Sequence, residues 1–374
     1  MGGDRMGMAP ERGQAGRPAP PEEWQVRPGD RLLVVAAHPD DDVLATGGLL
    51  QRAAAAGATF AVVFATDGEN NPWAQRASER RLLVGAADRP RFGVRRRGEA
   101  LAALARLGVG GERARFLGLP DQGLTRLLVE TPAQPLAALQ EMLQATRPSV
   151  LVGPSAADLH PDHSALAVLL RLALAGLPTA SSPRELAYVV HNPALRHPAS
   201  VVSSLPLDDT ERRRKHEAIA CHATQLHLRG PWLRSFAAGP EELVEVPWPA
   251  VAPHPVIAAR TTARELLVTV ATRPRPRSFG ARTLLVLADA GGGRIRRLSC
   301  PLPSLPGPLA LTDPSTRLDL SRGRFVGGPF AGELRLPADL LSGSRRLFLK
   351  LERRFGFFDE AGWLEVPCPL PHPG

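Results

Sequence analysis

Short apolar runs alternate with helical segments along most of the chain, and this alternation constrains the fold more than any other feature. Five runs have the length and composition of buried strands, and they open the segments 30–38, 59–70, 113–123, 150–174 and 184–192. The spacing of apolar residues predicts helices in 42–57, 95–109, 135–149, the second half of 150–174, and 208–228. Strands that alternate with helices form a parallel sheet covered on both faces. We therefore predict an α/β fold with a Rossmann-like, doubly wound, mostly parallel sheet.

The character of the sequence changes twice, which divides the chain into three parts. Residues 1–27 are rich in Gly, Pro and charge, lack the apolar segment of a secretory signal, and predict a disordered tail. The α/β pattern occupies residues 28–248. In residues 249–374, Pro and Gly become frequent and short apolar runs lie between turn residues. This pattern predicts a smaller, all-β accessory domain with a sandwich-like architecture.

Composition excludes several classes of function. The net charge is +9, but the arginines are scattered and no basic stretch is interleaved with aromatic residues, so we expect no nucleic-acid partner. The longest apolar stretch, 165–177, is short and contains Arg171, so we expect no membrane span. Cys221, Cys300 and Cys368 are widely separated, which argues against a disulfide framework and favours a reducing, cytoplasmic setting.

Two polar clusters follow predicted strands. The first is His38 with three consecutive aspartates, Asp40, Asp41 and Asp42. Adjacent carboxylates repel one another and require a helix N-terminus, a cation or open water. The second cluster, in 158–163, contains Asp158, His160, Asp162 and His163. Ligands bind beyond the carboxyl ends of the strands in such sheets, so both clusters are expected at one edge.

Histidine and carboxylate are ligands that Zn²⁺ accepts, and a catalytic zinc site uses three protein ligands and one water. His38 and Asp41 are spaced so that both can face one point as the helix begins. His163 would complete a set of two histidines and one carboxylate. Either cluster alone could instead be a helix cap with first-turn acids, or a polar surface loop. The occurrence of both clusters between a strand and a helix favours the metal site.

The motifs AHPDDD (37–42) and HPDH (160–163) resemble those of the PIG-L / LmbE family of zinc-dependent de-N-acetylases. Further similar segments are TDGE, RRGEALAALARLG, FLGLPDQG and KHEAIACHATQ. The resemblance covers about residues 28–245 and leaves the C-terminal part outside it. It implies that His38, Asp41 and His163 bind one zinc ion per chain, with Fe²⁺ or Mn²⁺ as alternatives.

The same resemblance implies roles around the ion. Asp40 would be the general base. His160 would stabilise the oxyanion or protonate the amine, with Asp162 tuning it. Arg96 and Asp121 would contact the sugar. The sequence departs from the family at Asp42, where the usual residue after the two aspartates is Glu. Aspartate is shorter by one methylene, so the zinc geometry would shift if this acid orients a ligand.

These residues predict a hydrolase that removes an N-acetyl or other N-acyl group from an amino sugar or glycoconjugate. Zinc-activated water and an Asp base would carry the reaction. Two alternatives stay open. One is an Fe(II)-type or other metal-dependent enzyme on the same site of two histidines and one aspartate. The other is a carbohydrate-binding protein without turnover.

Overall fold

The computed structural model of the chain describes residues 22–23, 25–178, 182–192, 203–247, 254–272, 282–291, 293–328 and 330–367. Within them the backbone forms one sheet of eight strands and one of nine. Most of the predicted tail, 1–27, lies outside the described residues, and so does the predicted boundary between 248 and 249. No helix in the described part of the chain is long and apolar enough to cross a membrane.

The strands of the first sheet are β1 (Glu22–Glu23), β2 (Arg31–Ala36), β3 (Thr59–Thr66), β4 (Ala114–Leu119), β5 (Val150–Pro154), β6 (Arg184–Tyr188), β7 (Ser203–Leu205) and β8 (Glu241–Glu245). The strands of the second sheet are β9 (Val256–Thr261), β10 (Glu265–Ala271), β11 (Arg282–Asp289), β12 (Ile295–Pro301), β13 (Gly307–Thr312), β14 (Asp319–Gly327), β15 (Ala331–Pro337), β16 (Arg346–Arg353) and β17 (Leu364–Pro367). The α-helices are α1 (Asp41–Ala55), α2 (Pro72–Glu79), α3 (Arg89–Arg106), α4 (Leu124–Glu130), α5 (Ala133–Thr146), α6 (Pro161–Ala175), α7 (Asp209–Cys221) and α8 (Ala223–Arg234).

The first sheet is mostly parallel, as predicted. Its strand order is β1-β7-β8-β6-β5-β2-β3-β4, and the five predicted strands are β2 to β6, which pair in parallel with one another. Strand β8 runs antiparallel to both of its neighbours. Strand β2 pairs with β3 on one side and with β5 on the other, so the order of the chain reverses beside it. In doubly wound sheets a ligand crevice forms at this switch point.

Strand β2 is apolar and buried from Leu32 to Ala36, because helices cover both faces of the sheet. Side chains alternate across a strand, so Leu32 and Val34 pack into one core, and Leu33 and Val35 pack into another. The first core includes residues of α1, α3 and α7, and the second includes residues of α4, α5 and α6. Strand β2 is therefore packed on both faces, and this packing fixes the position of the residues that follow it.

Helix α1 is kinked at Thr46, whose φ of −136° is not helical. The kink frees backbone N–H groups that need acceptors. Glu241 in β8 accepts from the N–H groups of Gly48 (2.6 Å) and Leu49 (2.9 Å), and its charge is paired with Lys215 in α7 (2.6 Å). A buried carboxylate thus caps the second half of α1 from another part of the fold.

Two helix predictions need correction, and two helices were missed. Helix α3 begins at Arg89 rather than at 95, because Pro90 is tolerated in a first turn, where no N–H is required. The helix predicted over 208–228 is two helices, since His222 has φ −80° and ψ 55° and breaks it into α7 and α8. Helices α2 and α4 were not predicted, because 8 and 7 residues are too few to show a helical period.

The all-β prediction for the C-terminal part is confirmed. Its nine strands pair antiparallel in the order β17-β16-β11-β12-β13-β14-β15-β10-β9. The sequence favoured a sandwich of two sheets, but the strands form one continuous sheet. A long sheet twists and curls, and here strand β9 comes into contact with β16.

The second sheet packs against the helices of the first without a gap between their cores. Leu285 and Leu287 of β11, Phe348 of β16 and Trp363 belong to the same buried cluster as residues of α4, α5 and α6. At the edge of this contact, Arg171 of α6 donates two hydrogen bonds to Glu365 of β17, at 3.0 and 2.8 Å. The two sheets therefore share the second of the two cores described above.

Candidate active site and metal centre

The predicted site lies at the switch point of the first sheet, where a cavity of about 540 Å³ opens beyond the ends of β2 and β5. His38 follows β2, Asp41 begins α1, and His163 lies in the first turn of α6. All three side chains are buried. The structure therefore brings the two sequence motifs together, as the position of their strands predicted.

Three atoms of these residues form a nearly equilateral triangle. Oδ2 of Asp41 lies 3.3 Å from Nδ1 of His38 and 3.1 Å from Nε2 of His163, and the two ring nitrogens lie 3.3 Å apart. Ligand atoms about 2.0–2.1 Å from a tetrahedral ion lie about 3.3 Å from one another. The donor types and their separations thus fit a metal ion bound by two imidazoles and one carboxylate.

Two further histidines lie beside the triangle. Ring nitrogens of His38, His160 and His163 fall within 4.8 Å of one another, and so do ligand atoms of Asp41, His163 and His191. His160 was predicted, whereas His191 was missed. His191 follows strand β6 at the same sheet edge as the two motifs, and that position was the signal that could have identified it.

Asp158 supports three segments of the site. Its Oδ1 accepts from the N–H of His160 (2.9 Å), and its Oδ2 accepts from the N–H groups of Val190 (2.9 Å) and His191 (3.0 Å). Oδ2 also lies 3.3 Å from Nδ1 of His163. Burial alone would raise the pKa of Asp158, but His163 and the backbone donors hold it at about 2. The sequence placed Asp158 in the second cluster without giving it a role.

His38 is surrounded by carboxylates. Its Nε2 lies 3.2 Å from Oδ1 of Asp121 and 3.4 Å from Oδ2 of Asp162. Burial lowers the pKa of His38, but the hydrogen bonds that Asp121, Asp162 and Asp41 accept from its ring outweigh this effect and raise the pKa well above its ordinary value. Asp121, predicted to contact the sugar, lines the cavity and also accepts from the N–H of Asn70 (2.8 Å).

Asp162 and His160 contact each other through the backbone. The Asp162 carboxylate accepts from the N–H groups of Gln122 (2.6 Å) and Leu124 (3.0 Å). Its own N–H donates to Nδ1 of His160 (3.2 Å), so His160 caps helix α6. Because Nδ1 accepts, the ring proton is assigned to Nε2. Burial, followed by the charge of nearby histidines, lowers the pKa of His160 well below its ordinary value.

Asp40 lies in a backbone conformation that is rare for residues other than glycine, with φ 140° and ψ −32°. Arg96 stabilises this loop, because one guanidinium nitrogen donates to the carbonyl of Pro39 (2.6 Å) and lies 3.2 Å from Oδ2 of Asp40. The other donates to the carbonyl of Gly68 (3.0 Å). Burial raises the pKa of Asp40 to about 7, although Arg96 lowers it.

Arg96 and Asp42 differ in their access to the cavity. Arg96, predicted to contact the sugar, is buried but forms part of the cavity wall. Asp42, the residue that departs from the family motif, is buried completely and does not belong to the residues that line the cavity. Burial raises the pKa of Asp42 to about 8, which favours the neutral form of its carboxyl and reduces the repulsion between the adjacent aspartates.

Comparisons with known proteins identify similar chains. The family model described as PIG-L: GlcNAc-PI de-N-acetylase matches residues 33–174. A 1D-myo-inositol 2-acetamido-2-deoxy-alpha-D-glucopyranoside deacetylase of Rhodococcus opacus (strain B4) is 38% identical over 153 residues, which are 36% of this chain and 49% of that protein. The chain thus spans about half the length of such relatives.

A longer match comes from the protein of the same name in Corynebacterium glutamicum (strain R). It is 30% identical over 233 residues, which are 54% of this chain and 76% of the relative. Among solved structures, the N,N′-diacetylchitobiose deacetylase of Pyrococcus horikoshii is similar, with 19% identity and a TM-score of 0.45 over 58% of this chain and 84% of that one. The family model, the extent of the Corynebacterium match and the two motifs lead to one conclusion, that the chain belongs to the PIG-L family.

Proposed function

We propose that the chain is a zinc-dependent hydrolase that removes an acetyl group from the nitrogen of an amino sugar or glycoconjugate. The observation that carries the proposal is the triangle of Nδ1 of His38, Oδ2 of Asp41 and Nε2 of His163, with sides of 3.1 to 3.3 Å, at the base of an open cavity. The relatives named as deacetylases of an acetamido glucopyranoside support the substrate class. A cavity of this size suits a small glycoside.

His38, Asp41 and His163 would hold one ion per chain. When bound, zinc supplies a water of lowered pKa and polarises the acyl carbonyl. Imidazole and carboxylate donors also accept Fe²⁺ and Mn²⁺, and zinc is proposed on the donor types together with the family. Asp121 and Asp158 would orient the two rings, since carboxylates beside the second ring nitrogen commonly do so at metal sites.

Asp40 is proposed as the general base. Its carboxylate lines the cavity one residue before Asp41, and it is outside the triangle of ligand atoms. It would take the proton of the attacking water and deliver it to the departing amine. Arg96, 3.2 Å from Oδ2, would hold the carboxylate in place throughout.

His160 is proposed to stabilise the tetrahedral intermediate. Its Nδ1 is occupied by the N–H of Asp162, so Nε2–H is the group left to donate. A neutral imidazole in this state donates a hydrogen bond to an oxyanion without giving up its proton. Asp162 would thus fix the ring through its backbone, and Arg96 and Asp121 would contact the sugar from the cavity wall.

Within this proposal, residues 28–248 form the catalytic domain, 249–374 the accessory β-domain and 1–27 a tail. We propose a cytoplasmic protein with a small-molecule substrate. Cys221 and Cys300 are free, which fits a reducing compartment.

The test is amine release from a panel of N-acetylated sugars and glycoconjugates by zinc-loaded protein, with the Asp40→Asn variant as control. Release that is lost in the variant supports the proposal. Tight binding of zinc without release from any compound would contradict it. Sugar binding without release would then identify the chain as a carbohydrate-binding protein, and release with Fe²⁺ but not with Zn²⁺ would contradict the choice of metal.

A further inference from the structure

The outer wall of the cavity comes from two separate parts of the chain. Helix α8 provides Trp232, and the segment between β16 and β17 provides Phe357 and Phe358. We refer to these three side chains as the aromatic wall. The Phe357 ring is edge-on to the ring of His160, with centroids 4.9 Å apart, and His191 stacks on Trp232 at 5.4 Å. The C-terminal sheet therefore reaches the proposed catalytic residues directly.

The segment that carries the two phenylalanines is anchored to the loop after β5. The N–H of Asp359 donates to the carbonyl of Leu159 (2.9 Å), and the N–H of Trp363 donates to the carbonyl of Ala156 (2.7 Å). Nζ of the buried Lys350 lies 2.8 Å from the Asp359 carboxylate. Because the loop after β5 leads directly into the HPDH motif, these bonds fix the aromatic wall relative to the candidate metal site.

Close packing adds to this anchorage. A Cβ atom at Gly362 would lie 1.8 Å from the carbonyl oxygen of Ala156, so only glycine allows the two backbones to approach. Arg282 of β11 pairs with Glu360 at 3.0 Å, which ties the same segment back to its own sheet. Together with the shared core, these contacts present the wall in a preorganised form, and preorganisation lowers the entropic cost of binding.

Three exposed apolar side chains line the cavity. Phe357 is 46% exposed, Leu228 is 48% exposed and Trp73 is 67% exposed. Exposed apolar groups that surround a polar centre mark a site for the apolar part of a ligand. The Arg229 guanidinium lies 5.5 Å from the Trp232 ring centroid, and Arg229 also lines the cavity.

The geometry favours a ring as the occupant. The rings of Phe357 and Phe358 are 5.0 Å apart and nearly perpendicular, at 83°. Two perpendicular rings present the face of one and the edge of the other to a ligand. An aromatic ring of the ligand packs favourably against either. A flexible alkyl chain would gain only contact area and would lose more conformational freedom on binding.

We propose that the C-terminal sheet forms part of the substrate site, and that the aromatic wall binds an apolar ring attached to the acetylated sugar. This inference rests on the proposed function, since the wall borders the cavity in which the acetamido group would react. The carboxylates and histidines at the base of the cavity would take the sugar. The aglycone would lie against Phe357, beside His160.

The experiment compares phenyl N-acetyl-β-glucosaminide with N-acetylglucosamine as substrates. We expect the wild-type protein to favour the phenyl glycoside by about tenfold in kcat/KM, and the ratio to fall towards one in Phe357→Ala. Phe357→Leu, which keeps an apolar side chain without a ring, should retain only part of the preference. Phe355→Ala is the matched control, because Phe355 is 60% exposed in the same segment and does not line the cavity.

The inference is overturned if the wild-type protein shows no preference, or if Phe357→Ala lowers kcat/KM for both substrates by the same factor. If the wild type releases amine from neither compound, the proposed function has failed, and titration calorimetry of the metal-free protein with the phenyl glycoside decides the inference separately. Weaker binding of the phenyl glycoside by Phe357→Ala than by Phe355→Ala would then support the role of the aromatic wall. Equal binding by the two variants would overturn the inference. Thermal denaturation of each variant checks that it is folded.

Discussion

The carboxylate of Asp158 lies 3.3 Å from Nδ1 of His163, while Nε2 of the same ring lies 3.1 Å from Asp41. The ring is thus held on one side and presented to the proposed metal on the other. Carboxylates in this position fix the ring orientation and increase the basicity of the ligand atom. The relationship also explains why a polar residue just after β5 is buried so completely.

We expect Asp158→Asn to lower zinc affinity by about 10- to 100-fold. Asparagine keeps one acceptor oxygen, so the variant loses the charge that faces His163 and also at least one of the backbone hydrogen bonds that the two carboxylate oxygens accept. Competition with a chromophoric chelator measures the change. Asp319→Asn, at an exposed position in β14, is the control and should bind zinc like the wild type. Unchanged affinity in Asp158→Asn would mean that Asp158 only holds the backbone.

Asp40→Asn should reduce kcat for amine release by about 10²- to 10⁴-fold, because a general base contributes on that order. Asparagine is chosen because it tolerates positive φ better than most residues, and φ is 140° at this position. Zinc content, measured by elemental analysis after dialysis, should stay at one ion per chain, as the proposal requires. Loss of the ion together with activity would instead identify Asp40 as a ligand.

His222 should make the protein sensitive to acid. Its ring is buried at the break between α7 and α8, and neither ring nitrogen has a hydrogen-bond partner among the described residues. Burial, followed by the charge of Arg96, lowers the pKa of His222 to about 3. An unfolded histidine titrates near pH 6.5, so below that pH the unfolded chain binds a proton that the native chain does not. The free energy of unfolding therefore falls as the pH falls from 6.5 towards 3.

We expect His222→Leu to remove up to about 1.4 kcal/mol per pH unit from the slope of the free energy of unfolding against pH in this window. Urea denaturation at pH 7, 6 and 5 gives the slope. The control is His216→Leu, on an exposed position of α7, which should keep the wild-type slope. Equal slopes of the free energy of unfolding against pH for His222→Leu and the wild type would refute the lowered pKa of His222.

Gly48 is required by packing. A Cβ atom there would lie 2.1 Å from the side chain of Leu207, which is itself buried and has little room to move. Gly48→Ala should therefore lower the free energy of unfolding by about 1–3 kcal/mol. The neighbouring Gly47→Ala is a sharp comparison, because its Cβ would lie 3.2 Å from the Lys215 side chain, which needs a shift of only a few tenths of an ångström. Equal urea midpoints for the two variants would contradict this account.

Sequence reasoning predicted that His38, Asp41 and His163 lie together, because each comes soon after a buried strand or at the start of the helix that follows it, and apolar runs identify such strands well. It could not assign Asp158 or His191, since their roles depend on β6 lying beside β5, which is a long-range pairing without a local pattern. Phe357 was out of reach for the same reason. It contacts His160 across nearly two hundred positions of the chain, and a single exposed aromatic residue in a turn carries no signal of its partner.

The shared core of the two sheets has a consequence for how the molecule comes apart. Leu287 and Phe348 are completely buried against helices of the other sheet, so neither sheet can unfold without exposing the apolar surface of its partner. Cooperativity follows from such mutual exposure. Heating should produce one calorimetric transition instead of two, and a chain truncated before β9 should aggregate, because it would present a bare apolar face to water.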